Sequence, residues 1–507
     1  MSLVTTTLSG MRWTTLAMVT NVSFNLGYTA VMARLLAPSA FGLIAMAQIA
    51  VRFLSYFAQL GVSPALVQKP ELSERDIRAA LTLSFTVNTL LFALMWLLAS
   101  LAGSFFGNPE IIPVLRGLSA AFLLSGFSVV SVSLLRRRLM FKQLAVVEIA
   151  SYVLGYGFVG VGSALYGLGV WSLVFAVIGQ EVMTLAVGYA FIRHSLRPVF
   201  AWQDIRHFLQ YGSKYSVIGF LEYIGANVDS LLIGRWYGEA ALGIYNRAQM
   251  VVKLPMHHLG NAITKVVFPV LSSAQTDKHK MVHAYLAGWV LIGSLAASVS
   301  LALVPAASDA VLTLLGSQWK AAIPIIELAA FAVPFAFLTV LSGIVCDAQG
   351  LLWPKFGIQC LSLLALVIAI YVLRGDGPLG FARAMVITEA CRLALYVGLH
   401  FSRLPLSVSA FLKVNAAVVS TAAATSLVVW QTARIAHEQA FPAWVSLTAE
   451  IATGGVAFTF SFGLAWLWLR RMPAFLALKT HIPLIDHIEH LYPAALLGHP
   501  RAVREQT

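Results

Sequence analysis

The stretch NVDSLLIGRWYGEAALGIYNRAQ, residues 227 to 249, has a weaker copy 201 residues earlier in YTAVMARLLAPSAFGLIAMAQ, residues 28 to 48. The offset pairs Arg235 with Arg34, Gly243 with Gly42, Ala248 with Ala47 and Gln249 with Gln48, and sets small residues at Gly238 and Ala37. Four residues past each glutamine the register reaches a cation, Lys253 in one copy and Arg52 in the other. Repeats of whole helical bundles place one central site between two movable halves.

Of 507 residues, 59% are hydrophobic and 11% charged, and the mean hydropathy is +0.82. That much apolar surface exceeds what one soluble core can hide, so the chain belongs in a bilayer. The formal charge of +13 would suggest nucleic acid in a soluble protein; in a membrane protein the cations are first sorted by side, and no nucleic-acid partner is expected. Cys346, Cys360 and Cys391 lie in apolar runs without CxxC spacing and read as core residues. No charged n-region or A-x-A site marks a removable signal peptide, so the first span is expected to insert uncleaved.

Apolar runs long enough to cross a bilayer as helix number fourteen, near 9–34, 40–66, 78–101, 113–135, 143–165, 168–192, 207–233, 240–268, 281–304, 322–346, 353–373, 379–399, 410–433 and 443–469. Breakers mark several boundaries, including Pro38, Gly167, Pro305, Gly377-Pro378 and Pro442. Short-loop Lys and Arg count 20 on one side, among them Arg136, Arg137, Arg138 and Lys142, against 5 on the other, Arg34, Arg235, Lys320, Arg374 and Arg434. Both termini are therefore expected in the cytoplasm. The fold class is all-α and polytopic: an N-lobe over 1–192 (spans one to six), a cytoplasmic linker over 193–206, a C-lobe over 207–400 (spans seven to twelve), two unrepeated spans over 401–470, and a cytoplasmic tail over 471–507.

Nine cations remain inside spans: Arg12, Arg52, Arg116, Lys214, Arg247, Lys253, Lys265, Arg383 and Arg392. Each is costly against lipid and is a functional candidate by default. At about 100° per residue, Gln48, Arg52, Ser55, Gln59 and Ser63 share one arc of span two. Asn246, Gln249, Lys253, His257, Asn261 and Thr264 share a stripe of span eight, which Pro255 should kink. Span seven aligns Tyr211, Lys214, Glu222, Gly225 and Asp229, with Asn227 beside them, and span one adds Arg12, Asn21, Asn25 and Tyr28. Such stripes suit a water-filled cavity between the lobes. Plainer readings stand beside this one. Arg12, Arg116 and Lys265 also suit end-of-helix cations reaching headgroups; Glu389 and Arg392 suit mutual neutralisation; Asp229 with Lys214 or Arg12 suits a structural lock. Glu222 and Asp229 are the candidates for ion coupling or for that lock.

Nothing in the motifs points to an enzyme: there is no HExxH, GxSxG or Walker loop, so no catalytic residue and no cofactor is assigned. His257-His258 point about 100° apart on a helix, so no metal site is expected.

ARLLAPSAFGLIAMA with FAQLGVSPALVQ (33–68), NVDSLLIGRWYGEAALGIYNRAQ with FPVLSS (227–273), and GSQWKAAIPIIELAAF (316–331) resemble the polysaccharide transporter family of the multidrug/oligosaccharidyl-lipid/polysaccharide superfamily. Within it the likeness is to lipid-linked oligosaccharide flippases of the colanic-acid-exporter type. The resemblance spans residues 10 to about 400. It implies two pseudosymmetric lobes of six helices plus two more, a central cavity, and alternating access that carries undecaprenyl-diphosphate-linked sugar repeat units across the bacterial inner membrane. It also implies that Arg12, Arg52, Lys214, Arg247 and Lys253 line a cationic cavity, and the excess of buried cations over acids suits a diphosphate. The full candidate binding set is Arg12, Asn25, Gln48, Arg52, Lys214, Asn227, Arg247, Gln249 and Lys253. Membrane lipids, a polysaccharide polymerase and a chain-length regulator are the other expected partners. The competing reading is an ion-coupled antiporter of drugs or small molecules, which should need an acidic cavity.

Overall fold

A computed structural model of the protein describes residues 3–58, 62–69, 71–199, 227–253 and 277–469. Among the described residues there are helices and no strands. In order they are α1 (Leu3–Leu35), α2 (Pro38–Ala58), α3 (Val62–Gln68), α4 (Glu74–Phe106), α5 (Ile111–Arg137), α6 (Phe141–Leu165), α7 (Trp171–Phe191), α8 (227–253), α9 (Lys278–Leu314), α10 (Ser317–Ala330), α11 (Ala332–Ala348), α12 (Leu352–Leu373), α13 (Pro378–Arg403), α14 (Val408–Glu438) and α15 (Ala443–Leu469). Ten of the described helices are long and apolar enough to cross a membrane, or eleven if α10 and α11 form one span. Eleven expected spans coincide with these helices, the one over 40–66 ending at Ala58 with α3 starting at Val62; the span expected over 9–34 is helical as α1 but not among them, and those at 207–233 and 240–268 lie partly outside the described residues.

Two further boundaries differ from expectation because of proline. The single span expected over 322–346 is bent by 40° between α10 and α11. Pro334 has no N–H for the carbonyl of Ala330, four residues back, and its ring crowds that carbonyl. Pro305, expected to end a span, lies inside the 37-residue α9. The carbonyl that Pro305 leaves without a donor belongs to Leu301, and the Ser426 hydroxyl of α14 donates to it at 2.9 Å. A partner on a neighbouring helix is what lets a proline persist in a spanning helix.

The chain packs as two compact units, one of residues 1–246 with 314–319 and one of 247–313 with 320–507. In the first, Val62, Leu66, Leu81, Val130, Leu134 and Val147 join α3, α4, α5 and α6 in one apolar core. Arg137, counted above as a loop cation, donates from Nη1 to the carbonyls of Leu66 (2.8 Å), Val67 (3.2 Å) and Lys69 (2.5 Å) and so caps the end of α3. The end of segment 193–199 is tied to α4: Arg78 Nε donates to the carbonyl of Arg197 at 3.0 Å, and the Val199 N–H donates to Thr82 Oγ1 at 2.8 Å. Burial beside Ser131 pushes the His194 imidazole below its usual range.

The repeat read from the sequence is a physical contact within this unit. A Cβ on Gly42 would lie 1.6 Å from the carbonyl oxygen of Glu239, and one on Gly243 would lie 2.0 Å from the carbonyl oxygen of Pro38. Subtracting the offset of 201 from Glu239 gives Pro38, so the two approaches are one contact made twice, as across a two-fold axis. The neighbouring contacts are not related by that offset. Arg34 lies against Gly316 and Arg235 against Gly107, two glycines that follow helices at positive φ (+101° and +66°). Trp319 Nε1 donates to the carbonyl of Ala33 at 2.8 Å, while Asn108 donates to Glu239 at 3.0 Å. In the second copy, Gly238 at φ +81° sits where α1 gives way to α2 in the first.

The second unit is built on α9, α11, α13, α14 and α15, whose core includes Trp289, Leu341, Leu393, Val414 and Trp466. Several of its buried polar groups are paired across helices. The Tyr285 and Ser342 hydroxyls meet at 3.0 Å, His400 Nε2 reaches the Ser342 carbonyl at 3.2 Å, and Trp289 Nε1 donates to Asn415 at 3.2 Å. Cys346 is buried as expected, but Cys360 and Cys391 are exposed on α12 and α13. An apolar run reads the same whether it faces protein or lipid tails.

Candidate functional site

In the first unit Arg52 projects from α2, exposed, and its charge acts on the Tyr156 hydroxyl of α6. Residues 153–161 of α6 wind as a π-helix, a rare form that rotates side chains out of α-helical register and recurs at functional sites. On its edge Tyr152 and Tyr156 stack at 4.6 Å between ring centroids. Two α1 aromatics close on them edge-to-face: Phe24 on Tyr152 at 5.7 Å and Tyr28 on Tyr156 at 5.0 Å. Asn25 Nδ2 donates to the Tyr152 oxygen at 2.5 Å. Glu181 of α7 is half-buried and also acts on Tyr156. Two sequence candidates, Asn25 and Arg52, thus meet around an aromatic pair that the charge-based reading missed. The signal was Tyr152 and Tyr156, four apart, at the head of the glycine-rich run GYGFVG (155–160).

The other candidates divide by environment. Gln48 is half-buried in α2. Ser63, expected to extend the α2 stripe, instead accepts a hydrogen bond from Ser133 at 2.8 Å in the packing of α3 on α5. Asn227 is half-buried at the start of α8. Asp229 accepts from the Tyr245 hydroxyl at 2.8 Å, and Ser230 donates to Asn246 at 3.1 Å, so α8 ties its own two halves together. The suggested Asp229 partners, Lys214 and the Arg12 side chain, lie outside the described residues, as do Glu222, Tyr211, Gly225, His257, Asn261, Thr264, Lys265 and the tail from 470.

In the second unit Gln249 is 4% exposed with its amide on the Met385 sulfur of α13 at 3.6 Å. Arg247 Nη1 lies 3.2 Å from the Met250 sulfur. Glu389 and Arg392 form the ion pair their spacing suggested, at 2.5 Å. Lys253 is exposed, and its charge acts on Glu389. Arg116 of α5 stacks over Trp96 of α4 at 5.1 Å, a cation–π contact at the end of a span.

The architecture is that of an all-α multi-pass membrane protein with the fold of the MOP superfamily. It aligns with lipid II flippase MurJ in an inward closed conformation at TM-score 0.68, with 13% identity, over 90% of this chain and 99% of that one. It aligns with an inward-facing multidrug resistance MATE transporter of the MOP superfamily at TM-score 0.57, with 15% identity, over 76% and 94%. At such identities the likeness is one of fold. Residues 31–324 match the sequence model of the family described as polysaccharide biosynthesis protein, and the chain belongs to that family.

Among curated relatives, the lipopolysaccharide biosynthesis protein WzxC of Escherichia coli (strain K12) is 24% identical over 330 residues, 65% of this chain and 67% of that protein. The teichuronic acid biosynthesis protein TuaB of Bacillus subtilis (strain 168) is 25% identical over 59% of this chain, and the succinoglycan biosynthesis transport protein ExoT of Rhizobium meliloti (strain 1021) is 26% identical over 60%. These two matches cover 62% and 61% of the relatives' lengths, less than two thirds.

Proposed function

We propose that this chain is a flippase of the bacterial inner membrane that carries undecaprenyl-diphosphate-linked oligosaccharide repeat units by alternating access, for exopolysaccharide, capsule or O-antigen synthesis. The observation that carries the reading is the pair Arg52 and Lys253. They occupy the same register of the two repeats, lie within apolar helices, and form no ion pair among the described residues. Of the acids described near them, Glu389 is paired with Arg392, and Glu181 acts on Tyr156. Cations in apolar helices without an ion-pair partner of their own suit an anionic headgroup rather than a cationic drug. The stacked Tyr152 and Tyr156 beside Asn25 suit a sugar, since an aromatic face covers the apolar face of the ring while an amide bonds its hydroxyls.

In a deletion strain complemented at matched protein levels, Arg52→Ala or Lys253→Ala should each remove a charge-assisted contact of about 1.5 to 3 kcal/mol, roughly ten- to a hundredfold in cargo affinity, and lower polysaccharide export. Arg52→Lys should do less harm, keeping charge without the bidentate fork. The deletion itself should leave lipid-linked repeat units facing the cytoplasm. Normal export by both folded alanine variants would sink the headgroup assignment, and normal polymer with altered drug sensitivity in the deletion strain would favour an antiporter.

A further inference from the structure

Asp309, His437 and Glu450 meet in the second unit, from the last turns of α9 and α14 and the early turns of α15. Asp309 is 2% exposed and Glu450 is 1% exposed. His437 Nε2 lies 2.9 Å from Asp309 Oδ2, and the His437 side chain is 51% exposed. The Glu450 carboxyl lies close enough to that of Asp309 for the two charges to act on each other. Among the described residues neither of its oxygens has a donor. The hydroxyls one turn to either side do not serve it: Ser446 bonds the Pro442 carbonyl at 3.5 Å, and Thr453 bonds the Ala449 carbonyl at 2.8 Å. Among the described residues Asp309 is the charged group that acts on Glu450. From α14, His437 reaches Asp309, while Arg434 and Glu438 pair with each other at 2.8 Å on the exposed face.

Two ionised carboxylates in contact inside an apolar bundle repel each other, and burying an unpaired charge is costly. A single proton held between them removes the repulsion and supplies Glu450 with the donor it lacks. We propose that Asp309 and Glu450 form a proton-binding site that loads and unloads one proton through His437. The route balances without a further reactant. Imidazole takes a proton from solvent hydronium at Nδ1, leaving water, and passes the one on Nε2 to Asp309 Oδ2, which shares it with Glu450; unloading runs in reverse. The load state bears on how α15 seats against α9 and α14, because the unprotonated pair pushes α15 outward. The site uses none of the cations assigned to cargo, so it stands or falls separately from the flippase reading.

The test is infrared difference spectroscopy of the purified full-length protein in lipid nanodiscs, titrated from about pH 5 to about pH 9 in sodium-free buffer. Wild type minus Glu450→Gln, and wild type minus Asp309→Asn, should each show a carboxylic C=O band that falls as the pH rises. His437→Ala should keep the band and slow proton uptake after a pH jump by at least about tenfold. Absence of the band from both difference spectra overturns the site. Its loss on adding sodium at constant pH overturns the proton in favour of a metal cation. If the isosteric variants fail to fold, indicator-dye proton uptake by wild type against His437→Ala decides, and equal rates overturn the relay.

Discussion

A methyl group on Gly42 would fall 1.6 Å from the carbonyl oxygen of Glu239, and one on Gly243 would fall 2.0 Å from that of Pro38. Neither neighbour is a flexible side chain that can turn aside, so Gly42→Ala or Gly243→Ala must move whole helices. Overpacking costs typically about 1 to 3 kcal/mol, and contact with backbone puts these two at the upper end or beyond. Gly27→Ala in α1, where a Cβ meets nothing within 4 Å, should be neutral or stabilising by about 0.5 to 1 kcal/mol. Thermal unfolding in detergent should separate the first two variants from the third. Equal melting of all three would show that the two repeats do not rest on these glycines. The glycine pair was legible in the sequence as a repeat position, but not as a contact, because an offset between residues says nothing of which backbone they touch.

At the scale of elements, one of the hydrogen bonds between α9 and α14 is made necessary by a proline. Ser426→Ala should leave the Leu301 carbonyl without a donor and cost about 1 to 3 kcal/mol, while Ser426→Thr should keep most of the stability. Adding Pro305→Ala to Ser426→Ala should restore it, since the new N–H can reach Leu301 within the helix. A double variant no more stable than Ser426→Ala would mean that the serine matters for another reason. The same elements show what hydropathy could not resolve. A twenty-residue window over 322–346 sums apolarity and is blind to a bend at Phe331, and it cannot tell that Pro305 finds help from a helix more than a hundred residues away.

At the scale of the whole molecule, the charge count of 20 against 5 predicts that both termini and the turn after α5 face the cytoplasm. With Cys346, Cys360 and Cys391 replaced, Gln439→Cys should be labelled in intact spheroplasts by an impermeant thiol reagent and Arg138→Cys only after lysis. Both positions are exposed, so accessibility depends on side alone. Labelling of Arg138→Cys in intact spheroplasts would invert the map. Arg137 is unsuitable for this purpose, because its guanidinium holds the end of α3 and its loss would confuse topology with folding.

Taken by itself, the chain's pattern of apolar runs, breakers and repeated residues determined a helical membrane protein, the position of most helices and the pairing of its two repeats. Those features are local or periodic, and the bilayer imposes them: backbone polar groups must be satisfied within each span, and a span needs about 20 apolar residues. Only the tertiary structure decided which face of each helix meets protein. It exposed Cys360 and Cys391 while burying Cys346, set Tyr152 and Tyr156 beside Asn25, and brought His437 to Asp309 across 128 residues of chain. Lipid tails and core side chains are equally apolar, so hydropathy alone cannot separate them. The meeting of distant polar groups depends on helix packing, which no single stretch of sequence contains.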